Sequence, residues 1–200
     1  QNMSDTELVR DFREVDEDDF TDATTAFPQK FKFKSAQNTG GFPVRHLSSF
    51  QSNPKKVCSL NDKGNISIYD LNKLESDWNV NAKENLTGLQ IHEENQVICS
   101  GEKSVKVWDT RQGSKLVMEM KDTSANGGKT RNYNCVAVNP SGLVVAGTEQ
   151  IKFESFLVFW DLRQTGKLQG GYWETHCDDI TSISFRPGED SILATGCTDG

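Results

Sequence analysis

Apolar and polar side chains alternate in short runs along residues 43–200, and each run is bounded by Gly, Asn, Asp or Ser. Alternation with a period of two marks a β-strand that buries one face. Three runs end alike: NISIYDL at 65–71, SVKVWDTR at 104–111 and FLVFWDLR at 156–163. In each an aromatic residue is followed by Asp and then by a turn. A shorter strand is predicted before each of them, at 56–60 (KVCSL), 96–100 (QVICS) and 143–148 (LVVAGT). Another precedes that one, at 44–50, 86–91 (LTGLQI) and 133–138 (YNCVAV). A weaker outer strand is expected after each aromatic-Asp pair, clearest in KLVMEM at 115–120 and interrupted by Gly170 and Gly171 at 167–173. The predicted unit is four strands, repeated.

Spacing supports the repeat. Asp70 and Asp109 lie 39 residues apart, close to the 40–45 residues of propeller repeats of this length class. Asp109 and Asp161 lie 52 apart, and two polar inserts account for the excess: TSANGGKTRN at 123–132 and EQIKFES at 149–155. Both are expected to leave the repeat as surface loops. A fourth unit starts at 175–200, with strands ITSISF and SILATG around a Pro187-Gly188 turn. It stops at Thr198-Asp199-Gly200, before the strand that would carry the next aromatic-Asp pair. A sheet ring removes its free edges only by closing, so the chain is expected to be an incomplete ring.

This pattern resembles the WD40 repeat family over about residues 43–200. Trp108-Asp109 and Trp160-Asp161 match its defining dipeptide, and Tyr69-Asp70 is a relaxed form of it. The resemblance implies an all-β fold, a WD40 β-propeller, of which this chain holds about three and a half blades out of about seven. It also implies a buried polar set in the fourth unit. There His176 would hydrogen-bond Asp199, and Thr195 and a third-strand Trp would complete the group. A buried imidazole needs partners for both nitrogens, so a carboxylate suits it chemically. A metal site of His176 with Cys177 or Cys197, or a catalytic His176, is the alternative, and the register accounts for the histidine without either. Asp62, in the turn Asn61-Asp62-Lys63-Gly64, is the corresponding acid of the first unit and is expected to shape its turn. A narrower resemblance, to the WD repeat-containing protein 89 group, rests on LVVAGTE at 143–149, LVFWDLR at 157–163 and YWETHCDDIT at 172–181. It implies a single propeller without enzymatic activity.

Charge divides the chain in two. Residues 1–22 contain nine acids against Arg10 and Arg13 and carry the whole net charge of −7. Residues 1–42 are therefore expected to be an acidic, disordered leader, with an edge or closing strand in KFKFK at 30–34. The five cysteines, at 58, 99, 135, 177 and 197, form no close pair, which favours reduced and mostly buried thiols in the cytoplasm or nucleus. No metal and no cofactor is expected. No Gly-rich phosphate loop, paired-histidine metal motif or nucleophile elbow occurs, so an enzyme is not expected. No basic cluster suits nucleic acid, and no apolar run is long enough to cross a membrane as a helix. Other proteins or peptides are the expected partners of a propeller scaffold, bound through its faces and loops. A sharper alternative comes from Arg111 and Arg163, each two residues after a WD aspartate. Trp-Asp-x-Arg resembles the docking motif of substrate receptors that bind the adaptor of a cullin-4 RING ubiquitin ligase. The competing role for each Arg is an ion pair inside its own blade.

Overall fold

The computed structural model describes residues 42–73, 75–121, 131–164 and 167–199, which contain fourteen β-strands. The first four are β1 (Val44–Ser49), β2 (Lys56–Asn61), β3 (Asn65–Asp70) and β4 (Glu75–Asn81). The second group is β5 (Leu86–His92), β6 (Gln96–Gly101), β7 (Val105–Asp109) and β8 (Leu116–Met120). The third is β9 (Tyr133–Val138), β10 (Leu143–Thr148), β11 (Ser155–Asp161) and β12 (Lys167–His176). A hairpin of β13 (Ile180–Phe185) and β14 (Leu193–Cys197) follows. Each group is one antiparallel sheet in simple chain order, which short turns make the default connection. The sheets are successive blades of a β-propeller. The acidic leader, the 30–34 strand and nearly all of the 123–132 insert lie outside the described residues.

The cores lie between blades. In β10 and β11, Val144, Ala146 and Trp160 pack toward the second blade with Ile98, Val107 and Tyr133. Their neighbours Val145, Leu157 and Phe159 face the other way, against Ile180 and Ile183 of the fourth unit. Trp108 joins Val97 and Cys99 against Leu60, Ile66 and Ile68 of the first blade. Second strands such as VICS and VVAG are thus apolar on both faces because both faces are covered, while the alternation persists in the outer strands. Gly147 marks how close two blades come: a Cβ there would lie 2.6 Å from Ile180 Cγ2 and 2.9 Å from Cys135 Sγ.

Three details depart from the sequence reading. Strand β12 runs on to His176, so this histidine closes the outer strand of the third blade. The insert at 149–155 is not an open loop. Ile151 and Glu154 pair as a miniature hairpin whose tip, Lys152 and Phe153, holds φ of 57° and 65°. Two consecutive left-handed residues make a tight hairpin turn. The turn after β2 is shaped by Asn61, whose Oδ1 accepts from the backbone N–H of Lys63 and Asn65, both at 3.0 Å. Asp62 instead pairs with Arg45.

Candidate functional site

The aromatic-Asp ends build one recurring turn. Trp108 and Trp160 are 3% and 0% exposed and anchor the end of each third strand. Asp109 Oδ1 accepts from the Arg111 backbone N–H at 3.0 Å and from its Nε at 3.0 Å, while Oδ2 accepts from Nη2 at 2.7 Å. Asp161 repeats the pattern with Arg163, at 2.9, 3.0 and 2.8 Å. One carboxylate thereby caps a 3₁₀ turn and grips a guanidinium as a fork. The Arg hydrogen bonds hold both carboxyls below the usual carboxylate range. Asp70 caps its turn through the backbone N–H of Asn72 at 2.8 Å, but Lys73 stands in for the arginine with Nζ at 3.9 Å. Tyr69 is half-buried.

Arg111 and Arg163 follow the ends of β7 and β11, and each guanidinium is engaged by its own blade's aspartate. Their side chains remain 66% and 71% exposed, so solvent screens both pairs. Neighbouring blades are joined at the same face, where Trp78 Nε1 of β4 donates to the Gly113 carbonyl at 2.8 Å.

At the opposite face, His176 Nε2 and Thr195 Oγ1 lie 2.8 Å apart, a hydrogen bond that crosses from the third blade to the fourth unit. His176 Nδ1 approaches Asp199 Oδ2 at 3.9 Å, an electrostatic contact longer than the expected hydrogen bond. Cys197 lies within 4.8 Å of this pair, and Cys177 is exposed. An N, S and O donor set is thus assembled, although the geometry given to the histidine is that of a packing link. The third blade has a different arrangement. Asn132 donates to Glu149 from its backbone at 3.2 Å and from Nδ2 at 2.8 Å. Gln150 N–H reaches Asp179 Oδ1 at 2.6 Å. Sequence reasoning did not find the Asn132–Glu149 pair, because neither residue carries a distinctive spacing.

The three buried thiols are chemically quiet. Burial pushes Cys58 up to about 12 and Cys135 up to about 11, and raises Cys99 well above the ordinary thiol range. Thiolate chemistry is suppressed at all three.

A second feature on the Trp-Asp face escaped the sequence altogether. The ends of β1, β5 and β9 line an open pocket of about 450 Å³. Its wall includes His92, Glu93 and Glu94, from three consecutive positions, with Ser48, Gln51 and Gln90. Contributions from three blades, far apart in sequence, leave no local motif.

These observations define the class: the chain folds as part of a β-propeller. Comparison with known proteins agrees with that class. A WD repeat-containing protein of Schizosaccharomyces pombe, itself uncharacterized, is 29% identical over 140 residues, covering 68% of this chain and 41% of the relative. Restriction of telomere capping protein 1 of Saccharomyces cerevisiae is 26% identical over 216 residues, covering 96% of this chain and 16% of that protein. The chain thus spans less than half the length of either relative. Among solved structures, a chain of the COPII outer coat vertex on membranes superposes with a TM-score of 0.67 at 18% identity, covering 77% of this chain and 44% of that one. That likeness is one of fold. No family model matches the sequence.

Proposed function

We propose that the chain serves as a non-enzymatic scaffold for protein–protein interaction, with the Trp-Asp face as a principal contact surface. One observation carries this reading. Two guanidinium groups on neighbouring blades are held in the same geometry at the protein surface by buried aspartates. A planar donor group fixed before contact loses little freedom on binding, which favours a specific partner surface. WD-repeat relatives and propeller neighbours support the scaffold class.

The finer reading is a substrate receptor that docks on the adaptor of a cullin-4 RING ubiquitin ligase through Arg111 and Arg163. It is favoured by the repeated Trp-Asp-x-Arg turn, and opposed by the engagement of each guanidinium within its own blade. Narrower kinship with the WD repeat-containing protein 89 group rests on the motif order within 143–181. The test is affinity purification of the full-length protein from cells, compared with an Arg111→Ala/Arg163→Ala variant of unchanged melting temperature. Loss of a defined set of partners in the folded variant supports the scaffold and its face. Loss of the cullin-4 adaptor among them supports the finer reading. An identical set of partners overturns the role of this face.

A further inference from the structure

We propose that His176, Cys197 and Asp199 bind a zinc ion that staples the third blade to the fourth unit. Strand alternation brings the donors together. Thr195, Cys197 and Asp199 are spaced by two residues, at the end of β14 and in the turn beyond it, so their side chains turn toward the same side. That side meets His176, the last residue of β12. A ring nitrogen of His176, the Cys197 Sγ and an Asp199 carboxylate oxygen lie within 4.8 Å of one another.

The histidine is already aimed. Its Nε2 is taken up by Thr195 Oγ1 at 2.8 Å. With the Nε2 proton donated there, Nδ1 carries the lone pair and the ring is held in one orientation, as metal-ligating histidines are. Nδ1 stands 3.9 Å from Asp199 Oδ2, too far for a hydrogen bond yet near the span of two ligands around one ion. Zinc bonds of about 2.0–2.3 Å at tetrahedral angles hold their ligand atoms roughly 3.3–3.6 Å apart. A side-chain shift of about 1 Å therefore closes the triad on an ion. The Cys197 and Asp199 side chains make no hydrogen bond among the described residues, so binding displaces no existing partner.

The surroundings are negative. Thr198 N–H donates to the Asp179 carbonyl at 3.1 Å, which sets the Asp178-Asp179 turn beside Asp199. No Lys or Arg pairs with Asp178, Asp179 or Asp199 among the described residues. The field thus favours a cation, and the donor set selects which one. Calcium and magnesium take shells of oxygen, whereas thiolate, imidazole and carboxylate together suit zinc. As the Zn–S bond forms, the Cys197 thiol releases its proton to solvent. The His176 and Asp199 side chains are 22% and 40% exposed, so water reaches the fourth coordination position.

The test uses the full-length protein, stripped of metal and titrated with Zn2+ in competition with a chromophoric chelator. The natural protein should take up a Zn2+ ion that Cys197→Ser binds at least about 100-fold more weakly, since losing even the partner behind a ligand costs about 10–100-fold. Asp199→Asn should weaken the same ion. Cys177→Ser, whose exposed thiol lies outside the triad, should bind like the natural protein. Co2+ in place of Zn2+ should show a thiolate-to-cobalt charge-transfer band that Cys197→Ser lacks. Zn2+ should raise the melting temperature of the natural protein and leave that of Cys197→Ser unchanged. No Zn2+ uptake, equal uptake by Cys197→Ser, or cobalt binding without the band overturns the proposal. The band is read on the natural protein, so it stands even where the variant folds poorly.

Discussion

The third blade and the fourth unit perform the same structural task with different chemistry. In the fourth unit, Thr195 stands on β14 and meets His176 Nε2 at 2.8 Å. The strand register places Ala146 at the matching point of the third blade, two residues beyond Val144 on the face that pairs with Trp160. No side-chain oxygen is available there, and the buried Trp160 indole N–H has no hydrogen-bond partner among the described residues. At the rim the third blade has the Asn132–Glu149 pair, while the fourth unit is linked through His176 to Thr195 and Asp199. The third blade is therefore held by apolar packing around Trp160, including an edge-on contact with Tyr133 at 5.5 Å between ring centres. The fourth unit adds a polar link. A repeat can thus keep its strand geometry while moving its stabilisation from hydrogen bonds to packing.

The largest test removes that packing. Trp160→Ala should cost about 3–5 kcal/mol, because a fully buried aromatic leaves a cavity its neighbours only partly fill. Thermal or denaturant unfolding of the full-length protein measures it. A loss below about 1 kcal/mol would refute the account of the third blade. Trp108→Ala, at 3% exposure, should behave similarly.

Next comes the joint between the two regions. Gly147→Ala would place a methyl group 2.6 Å from Ile180 Cγ2, and overpacking of this kind costs about 1–3 kcal/mol. In the background of Ile180→Ala, which removes the clashing Cγ2, part of the Gly147→Ala loss should be recovered in the same unfolding measurement. Absence of any recovery would place the strain elsewhere.

The polar difference itself should yield smaller effects of opposite sign. Thr195→Val removes the hydroxyl from His176 and should destabilise by about 1 kcal/mol, the size of one hydrogen bond. Ala146→Ser offers the Trp160 N–H an acceptor and should stabilise by about 0.5–1 kcal/mol where the hydroxyl reaches it. Melting temperatures of the two variants separate the cases. A fall with Ala146→Ser would mean that the hydroxyl meets only apolar neighbours.

How much of this was legible in the sequence follows from the range of each interaction. Strands such as KVCSL, QVICS and LVVAGT were readable because side-chain alternation and turn residues are local signals. The strand at Glu75–Asn81 was not located in advance, since its alternation is almost wholly polar and only Trp78 and Val80 mark its inner face. His176, Thr195 and Asp199 were grouped from their repeat positions with Asp199 as the expected partner of the histidine, whereas its hydrogen bond is to Thr195 and Asp199 stands off at 3.9 Å. The roles of Arg111 and Arg163 were left between two partners, because sequence places an Asp two residues away without saying which way the guanidinium turns. The His92–Glu93–Glu94 pocket was invisible for a stronger reason: it exists only when the ends of three blades meet. The leader and the 30–34 strand remain expectations from charge and alternation.

The smallest effect concerns the end of the third strand, where the second and third blades do not differ. Asp109 and Asp161 are both held below the ordinary carboxylate range, first by the Arg side-chain hydrogen bond and also by the capped backbone N–H. A lowered folded-state value means the carboxylate contributes stability above its unfolded value of about 3.9. That contribution is lost as pH falls through the folded value. The melting temperature of the natural protein should therefore drop more steeply on acidification below about pH 4 than that of Arg111→Ala/Arg163→Ala, whose carboxylates keep only the backbone donors. Parallel curves would mean that the exposed guanidinium groups are screened so fully that they contribute nothing to folding. The two arginines would then be retained in these turns for contact with something outside the blade.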